Sequence, residues 1–255
     1  MPHSSRVHSQ QQKASVPAYR RFYLAVLAVC IVLAPLTLAA WFQLCPTNDV
    51  GCPDQGSSVA VYAAFRATPP VVMRVFLLLS VAAPYLYPLS YFGLGLLALR
   101  RSPWLAISGM VCGWLGSVAW GPIADQMFML NVMARLNHDS LFVALEKHYY
   151  ASSELLVFAV GWVLGHILAY VLLGIALWRA RVVPRWAAAL LIVSAPLMGP
   201  IAYGTNQSLL QIAGYALAFI GSVPAAAALL RGADEAGAIA NRLNDPQASS
   251  LDIAR

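Results

Sequence analysis

Long apolar runs alternate with short polar junctions along this chain. Four of the runs are residues 22–44, 75–99, 102–124 and 155–178, and the last contains one histidine, His166. A helix needs about 20 apolar residues to cross a bilayer, and each run meets that length. Because the runs are continuously apolar rather than alternating, they predict helices and not the strands of a membrane barrel.

The fifth run, residues 186–230, contains no charged residue and is too long for one crossing. Turn-forming residues stand near its middle: Pro200, Gly204, Thr205 and Asn206. We therefore divide it into two helices, over residues 186–202 and 207–230. The expected fold is all-α, a polytopic membrane protein with six transmembrane helices.

Composition agrees with a membrane location. Of the 255 residues 60% are hydrophobic and 10% are charged, whereas soluble domains carry about 25% charged residues. Residues 1–18 and 232–255 are polar and lack an apolar run, which is typical of disorder. We expect a bundle over residues 19–231 between two disordered cytoplasmic tails.

Lys and Arg are distributed unevenly between the junctions. If the six helices cross the membrane in turn, twelve of the 16 Lys and Arg residues fall on the same side as the N-terminus. The other four fall on the opposite side, at Arg66, Arg74, Arg135 and Lys147. Cytoplasmic loops are rich in these residues, so both termini are predicted to be cytoplasmic, in a bacterial inner membrane. Anionic lipid is a sufficient partner for the net charge of +6, and we expect no nucleic-acid partner.

Two longer loops lie on the outer side in this topology. Residues 58–66 predict a short helix before Pro69 and Pro70. In residues 135–153, apolar residues recur at helical spacing, which predicts an amphipathic helix on the outer surface. Its apolar face would carry Leu141, Phe142, Leu145 and Tyr149, while Asp139, Glu146 and Lys147 mark other faces.

The four cysteines divide into two pairs. Cys45 and Cys52 bracket a short segment of the first outer loop, so a disulfide is predicted in an oxidising compartment. The alternatives are two free thiols or a pair of metal ligands, and two ligands without a nearby histidine are a weak zinc site. We therefore expect no metal. Cys30 and Cys112 lie within helices and are expected to be packing residues.

Small residues indicate where helices approach closely. Gly109 and Gly113 in the third predicted helix, and Gly161 and Gly165 in the fourth, have the spacing of membrane helix contacts. They predict that these two helices pack tightly on each other. Pro84 and Pro88 are expected to kink the second helix, and Pro196 and Pro200 the fifth.

Ionisable groups within apolar runs often mark function. Arg74, Asp125 and Glu154 are predicted at one depth near the outer side, with His166 near the middle of the bilayer. They would form a polar pocket opening to the outer leaflet, with His166 at its floor and Gln126 nearby. The alternative is a set of interfacial ion pairs and a core histidine bonded to a carbonyl.

Two classes of function follow from these residues. The first is a protein that binds, exports or senses a small lipophilic compound or lipid. Its expected ligand-binding residues are His166, Arg74, Gln126, Trp120 and Tyr87. Because six helices are few for a secondary transporter, a homodimer would compensate.

The alternative is an intramembrane enzyme that resembles a terpenoid cyclase in its chemistry. Asp125 or Glu154 would be the general acid on an isoprenoid or lipid, in an apolar pocket lined by Trp114, Trp120, Tyr85 and Tyr87. The chain contains no phosphate loop, no Gly-x-Ser-x-Gly elbow and no His-Glu-x-x-His pair. No lysine deep in a span suits retinal and no histidine pair suits haem, so we expect no cofactor.

One stretch resembles a known family. It comprises the segments Gly165-His166-Ile167-Leu168, Leu173-Gly174-Ile175-Ala176-Leu177-Trp178-Arg179 and Val182-Val183-Pro184-Arg185-Trp186-Ala187-Ala188. These are similar to a bacterial family of multi-pass membrane proteins of unknown function that is frequent in actinobacteria. The resemblance covers the fourth helix and the start of the fifth, and it implies the membrane class alone.

Overall fold

A computed structural model describes residues 18–47, 59–136 and 138–243 of the chain. Within these ranges the chain is helical without strands, and six stretches are long and apolar enough to cross a membrane, which confirms the predicted fold class. The helices are α1 (Ala18–Gln43), α2 (Val59–Ala67), α3 (Pro70–Ala98), α4 (Pro103–Leu136), α5 (Asp139–Tyr150), α6 (Ser153–Ala180), α7 (Arg185–Pro196), a π-helical turn (Leu197–Ile201), α8 (Ala202–Thr205) and α9 (Ser208–Leu243).

The division of the fifth apolar run is confirmed. Asn206 adopts a left-handed conformation, with φ of 50° and ψ of 45°, and ends α8 one residue before Gln207. Asparagine tolerates this region better than most residues, so the turn suits the sequence. The span before the turn combines α7, the π-helical turn and α8. The span after it, α9, continues to Leu243, and residues 1–17 and 244–255 lie outside the described residues.

The third predicted span, which is α4 in the structure, is longer than predicted. α4 continues past Asp125 to Leu136 because one carboxylate does not end a helix and the sequence that follows it is again apolar. Its 34 residues extend over about 50 Å at 1.5 Å per residue, well beyond the ~30 Å of a hydrocarbon core. The end of α4 therefore projects beyond the apolar layer, and α2 and α5 both pack against this helix.

The six spans form a closed ring. Each packs on its neighbours in chain order, and α1 packs on α9 to complete the circle. α3 also contacts α6 and α9, so it leans into the middle of the ring. We call the side of the bundle with α2, α5 and the Asn206 turn the loop face, and the side with the α3–α4 and α6–α7 connections the arginine face.

The predicted tight packing of α4 on α6 is confirmed at Gly165, but its closest partner in α4 is Gly116, which was not among the predicted glycines. A Cβ atom added to Gly165 would lie 2.7 Å from the Cα of Gly116 and 2.8 Å from the Cys112 carbonyl oxygen. The two backbones therefore touch at Gly116. Gly109 and Gly113 instead make room for the side chains of Leu173 and Tyr91.

Both short helices predicted for the loops are present on the loop face. α5 differs from the prediction in the face that it buries. Leu141 and Leu145 are 65% and 54% exposed, whereas Glu146 is only 4% exposed. Phe142 is half-buried against the core and contacts Tyr62 of α2, with ring centroids 6.2 Å apart.

The glycine contact leads to a first prediction. Gly165→Ala should lower the stability of the folded bundle by about 1–3 kcal/mol, because the new methyl group forces α4 and α6 apart. Gly121→Ala in α4 is the matched control, since its Cβ would meet nothing within 4 Å. It should be neutral or stabilising by up to about 1 kcal/mol. Thermal unfolding in detergent measures both, and equal unfolding temperatures for the two variants would contradict the contact.

Candidate functional site

Aromatic rings from five helices fill the middle of the ring of spans. Trp41 of α1 stacks on Phe76 of α3, with centroids 5.1 Å apart, and meets Trp120 of α4 edge-on at 5.1 Å. Trp120 lies 4.5 Å from Trp162 of α6, which lies 4.5 Å from His166. This series of contacts, the aromatic column, continues with the further rings that surround His166: Tyr87, Tyr91, Tyr170 and Tyr215.

The polar groups at the loop-face end of the column are satisfied. Trp41 Nε1 donates to Ser80 Oγ at 2.6 Å, and Trp120 Nε1 donates to the Ser80 carbonyl at 2.9 Å. That carbonyl has no helical donor of its own because Pro84, four residues later, lacks an N–H group. The Trp120 indole therefore replaces the hydrogen bond that the proline removes, and joins α4 to α3.

His166 occupies the middle of α6 and is 3% exposed. Tyr87, Trp162 and Tyr170 surround it, with ring centroids 4.6, 4.5 and 5.1 Å from the imidazole. Its Nδ1 forms a hydrogen bond with the hydroxyl of Tyr91. Its Nε2 is buried and has no hydrogen-bond partner, which is uncommon for a buried polar atom.

A small cavity adjoins His166. Its volume is about 10 Å³, room for about one water molecule. Trp162 and His166 of α6 line one side, Met198 and Gly199 of the π-helical turn another, and residues of α9 the third. The cavity therefore lies where α6, the π-helical turn and α9 meet.

The π-helical turn follows from the two prolines of this span. Pro200 has no N–H for the usual bond to the carbonyl four residues earlier, so the regular α-helical ladder is interrupted there. π-Helical turns are rare and occur often at functional sites. From α9, Gln211 Nε2 donates to the Met198 carbonyl at 3.3 Å, which ties the turn to α9.

Three of the residues predicted for the site come together in this core. His166, Tyr87 and Trp120 all belong to the aromatic column and are buried. Of the other two aromatic residues expected to line a pocket, Tyr85 is 69% and Trp114 49% exposed. The predicted pocket of four aromatic residues is therefore not formed, because these two side chains point out of the bundle.

The polar residues predicted for the loop face do not line the cavity beside His166. Arg74 and Asp125 are exposed and Gln126 is half-buried. Within the described residues, no ion pair joins Arg74 to Asp125. The side chain of Glu154 lies outside the described part of the structure.

Of the predicted disulfide pair, Cys45 is buried, with its Sγ 3.4 Å from Thr47 Oγ1. Cys52 lies outside the described residues, so the Cys45–Cys52 bond stays a prediction. The free thiols of the described part are Cys30 and Cys112. Cys30 is buried among apolar residues of α1, as expected for a packing residue.

Five residues of this core were not singled out from the sequence as site residues: Tyr91, Trp162, Tyr170, Gln211 and Tyr215. Trp162 and Tyr170 lie four residues before and after His166 in α6, and Tyr91 lies four residues after Tyr87 in α3. Residues four apart share one face of a helix, so this spacing was the available signal. Tyr215 and Gln211 of α9 gave no comparable pattern.

An ion pair joins the helices of the loop face. Arg66 of α2 binds Asp139 of α5 through two parallel hydrogen bonds of 2.7 Å, and Arg66 Nη1 also donates to the Ala134 carbonyl of α4 at 3.1 Å. The hydrogen bond from Arg66 holds the pKa of Asp139 below its ordinary value of 3.8. The same pair raises the pKa of the Arg66 guanidinium.

Two further acidic groups lie near α5. Partial burial, and then the negative charge of Asp125, raise the pKa of Tyr149, which places Asp125 beside α5 rather than beside His166. Glu146 is buried, and neither of its carboxyl oxygens has a hydrogen-bond partner. The sequence had assigned this residue to a polar face of the helix.

Among the described residues, no group of three or more His, Cys, Asp or Glu side chains could hold a metal ion. The chain matches no protein-family model, no curated protein and no solved structure.

The Arg66–Asp139 pair leads to a prediction about pH. Because the folded state lowers the pKa of Asp139, its contribution to the docking of α5 is present above about pH 4 and is lost as the pH falls through the lowered pKa. Hydrogen exchange of α5, corrected for intrinsic rates, should therefore speed up on acidification. Asp139→Asn should show the faster exchange already at neutral pH, with little further change in acid. Identical pH profiles for the two proteins would contradict this docking role.

Proposed function

We propose that this integral membrane protein binds a small lipophilic compound that places one polar atom in the cavity beside His166. The observation that carries the proposal is the buried Nε2 atom of His166, which has no hydrogen-bond partner, in a residue that lines the cavity. An unpaired buried donor or acceptor costs about 1–3 kcal/mol. A ligand that supplies the missing hydrogen bond recovers this free energy, so the site favours occupancy.

Access from the bilayer supports a lipophilic ligand. Ile201, at the end of the π-helical turn, and Tyr203 of α8 are 42% and 41% exposed, and Tyr203 also lines the cavity. Tyr203 therefore reaches from the cavity to the outer surface of the bundle, next to the least regular segment of its span. A compound dissolved in the bilayer would place one polar group at His166 and keep its apolar part among lipid-facing side chains.

Binding at this position would also reach the rest of the bundle. The cavity is lined by α6, the π-helical turn and α9, and Gln211 connects the turn to α9. A ligand that repacks the turn would therefore change the contact between the last two spans. This coupling suits the sensing or export of the bound compound.

The geometry does not favour Asp125 as the general acid of the enzyme alternative. Asp125 is exposed on the loop face and lies outside the cavity lining, and the side chain of Glu154, the other proposed acid, is outside the described residues. A general acid must reach the atom that it protonates to within hydrogen-bond distance. We therefore use Asp125 as a control residue for binding.

Native mass spectrometry of the protein purified in mild detergent tests the proposal. Wild type and Asp125→Asn should both retain a small molecule. His166→Phe keeps an aromatic ring in the column but removes the nitrogen, and should bind the compound at least tenfold more weakly, about 1.4 kcal/mol. Thermal unfolding checks that the variants are folded. Absence of a retained compound from wild type, or equal retention by folded His166→Phe, would contradict the proposal.

We further propose that the loop face is extracellular and that both termini are cytoplasmic. The excess of Lys and Arg on the arginine face supports this orientation. It would place Cys45 and Cys52 in an oxidising compartment, where a disulfide is stable. The bacterial inner membrane is the proposed location.

Reporter tags at single sites test this orientation. Tags at residues 50, 140 and 205 should be reachable by an impermeant reagent in whole cells, because positions 140 and 205 belong to the loop face and residue 50 lies in the chain between α1 and α2. A tag at residue 182, between α6 and α7, should be reachable only after the cells are opened. The reverse pattern of labelling would show that the bundle is inverted.

A further inference from the structure

We propose that the arginine face binds one anionic phospholipid, whose phosphate lies where the α3–α4 connection meets the end of α6. Arg101 belongs to that connection, and Arg179 and Arg181 lie on either side of Ala180, the last residue of α6. This site is separate from the cavity beside His166, because Ala180 lies about 20 Å further along α6 at 1.5 Å per residue.

One hydrogen bond brings the two connections together. Arg101 Nη1 donates to the Ala180 carbonyl at 2.7 Å, and its other N–H groups have no acceptor among the described residues. The Arg101 guanidinium therefore lies beside the backbone that carries Arg179 and Arg181, and all three arginines are exposed. Membrane topology alone explains arginine on this side of the bundle. It does not require that the two connections meet.

The positive charge of this region is not balanced within the described structure. Five arginines stand in or beside the two connections: Arg100, Arg101, Arg179, Arg181 and Arg185. The acidic side chains that the structure describes all lie on the loop face: Asp125, Asp139 and Glu146. Helix dipoles do not compensate, because α3 and α6 end here while α4 and α7 begin here, so that their opposite partial charges cancel. A surface with one sign of charge attracts a counter-ion.

Tryptophans beside these arginines favour a lipid as the source of the anion. Trp104, Trp178 and Trp186 are exposed, and each lies within three residues of one of the five arginines. Tryptophan is enriched at the level of the lipid headgroups. The guanidinium groups thus lie at the depth of the lipid phosphates, which arginine binds through two parallel hydrogen bonds. An anionic lipid is favoured because a zwitterionic one would bring its own ammonium group into a cationic region.

The backbone of Arg181 allows the site to be tested without loss of stability. Arg181 has a left-handed conformation, with φ of 54°, and its N–H donates to the Leu177 carbonyl at 3.0 Å. Glycine is the usual residue at this position of a helix end, because it has no Cβ atom. Arg181→Gly should therefore preserve or raise the unfolding temperature of the lipid-free protein while it removes one proposed phosphate ligand.

Native mass spectrometry of the delipidated protein in detergent measures the binding of phosphatidylglycerol and of phosphatidylethanolamine with the same acyl chains. Wild type should bind one phosphatidylglycerol about tenfold more tightly than phosphatidylethanolamine, and Arg181→Gly and Arg101→Gln should each weaken it by about fivefold. Arg231→Gln is the matched control. Arg231 is an exposed arginine of the same face, but it donates to the Ala227 carbonyl of its own helix, so its loss should leave the affinity unchanged.

Inorganic phosphate distinguishes a lipid from a free anion as the occupant. In large excess it should neither displace phosphatidylglycerol nor raise the unfolding temperature, because it has no acyl chains. Displacement would overturn the proposal, as would equal affinities for the two lipids, an equal loss in Arg231→Gln, or wild-type affinity in Arg181→Gly. Thermal unfolding without lipid checks that the variants are folded, and Arg181→Gly decides the test if loss of the Ala180 hydrogen bond unfolds Arg101→Gln.

Discussion

Hydrocarbon offers no hydrogen-bond partner, so each polar group within a span must find one inside the bundle. Ser80 shows how this constraint shapes the fold. Pro84 removes the helical donor of its carbonyl, and the indole of Trp120 replaces it, while Trp41 binds the Ser80 hydroxyl. The two hydrogen bonds to Ser80 thereby join α1 and α4 to α3. His166 Nε2 departs from this rule, as do the hydroxyls of Ser90 and Ser222, and of these three residues the histidine is the one that lines the cavity.

The contact between α4 and α6 positions this site. In lipid, apolar side chains gain little from leaving their surroundings, so close backbone approach decides which helices associate. Gly165 and Gly116 allow that approach, and Gly165 directly precedes His166. The same contact brings Trp162 against Trp120, one turn from the histidine. The placement of the imidazole thus depends on two residues that have no side chain.

Which residues form the spans could be predicted from the sequence more accurately than which side of each span faces the inside of the bundle. Length and absence of charge are properties of a single run, so the six crossings and the turn at Asn206 could be predicted without knowing any neighbour. Which side of a span faces inward depends on its neighbours, and these spans are apolar on all sides. Tyr85 and Tyr87 therefore looked equivalent, although one faces outward and the other is buried. Glu146 of α5 was assigned to a polar face because the side that this short helix buries is likewise set by its neighbours and not by its own sequence.

The π-helical turn has little room to adjust independently of its neighbours. A Cβ atom at Gly214 of α9 would lie 2.7 Å from the Met198 nitrogen, so α9 touches the backbone of the turn. On the other side, Gly199 makes room for Ile167, the residue after His166. Close-packed interfaces respond to a small change by shifting between arrangements rather than by deforming gradually. Because the turn touches both α6 and α9, its backbone cannot shift without moving against one of these helices. The irregular backbone of the turn and the imidazole of His166 line the same small cavity, so the packing of the last two spans and the surroundings of the histidine depend on each other.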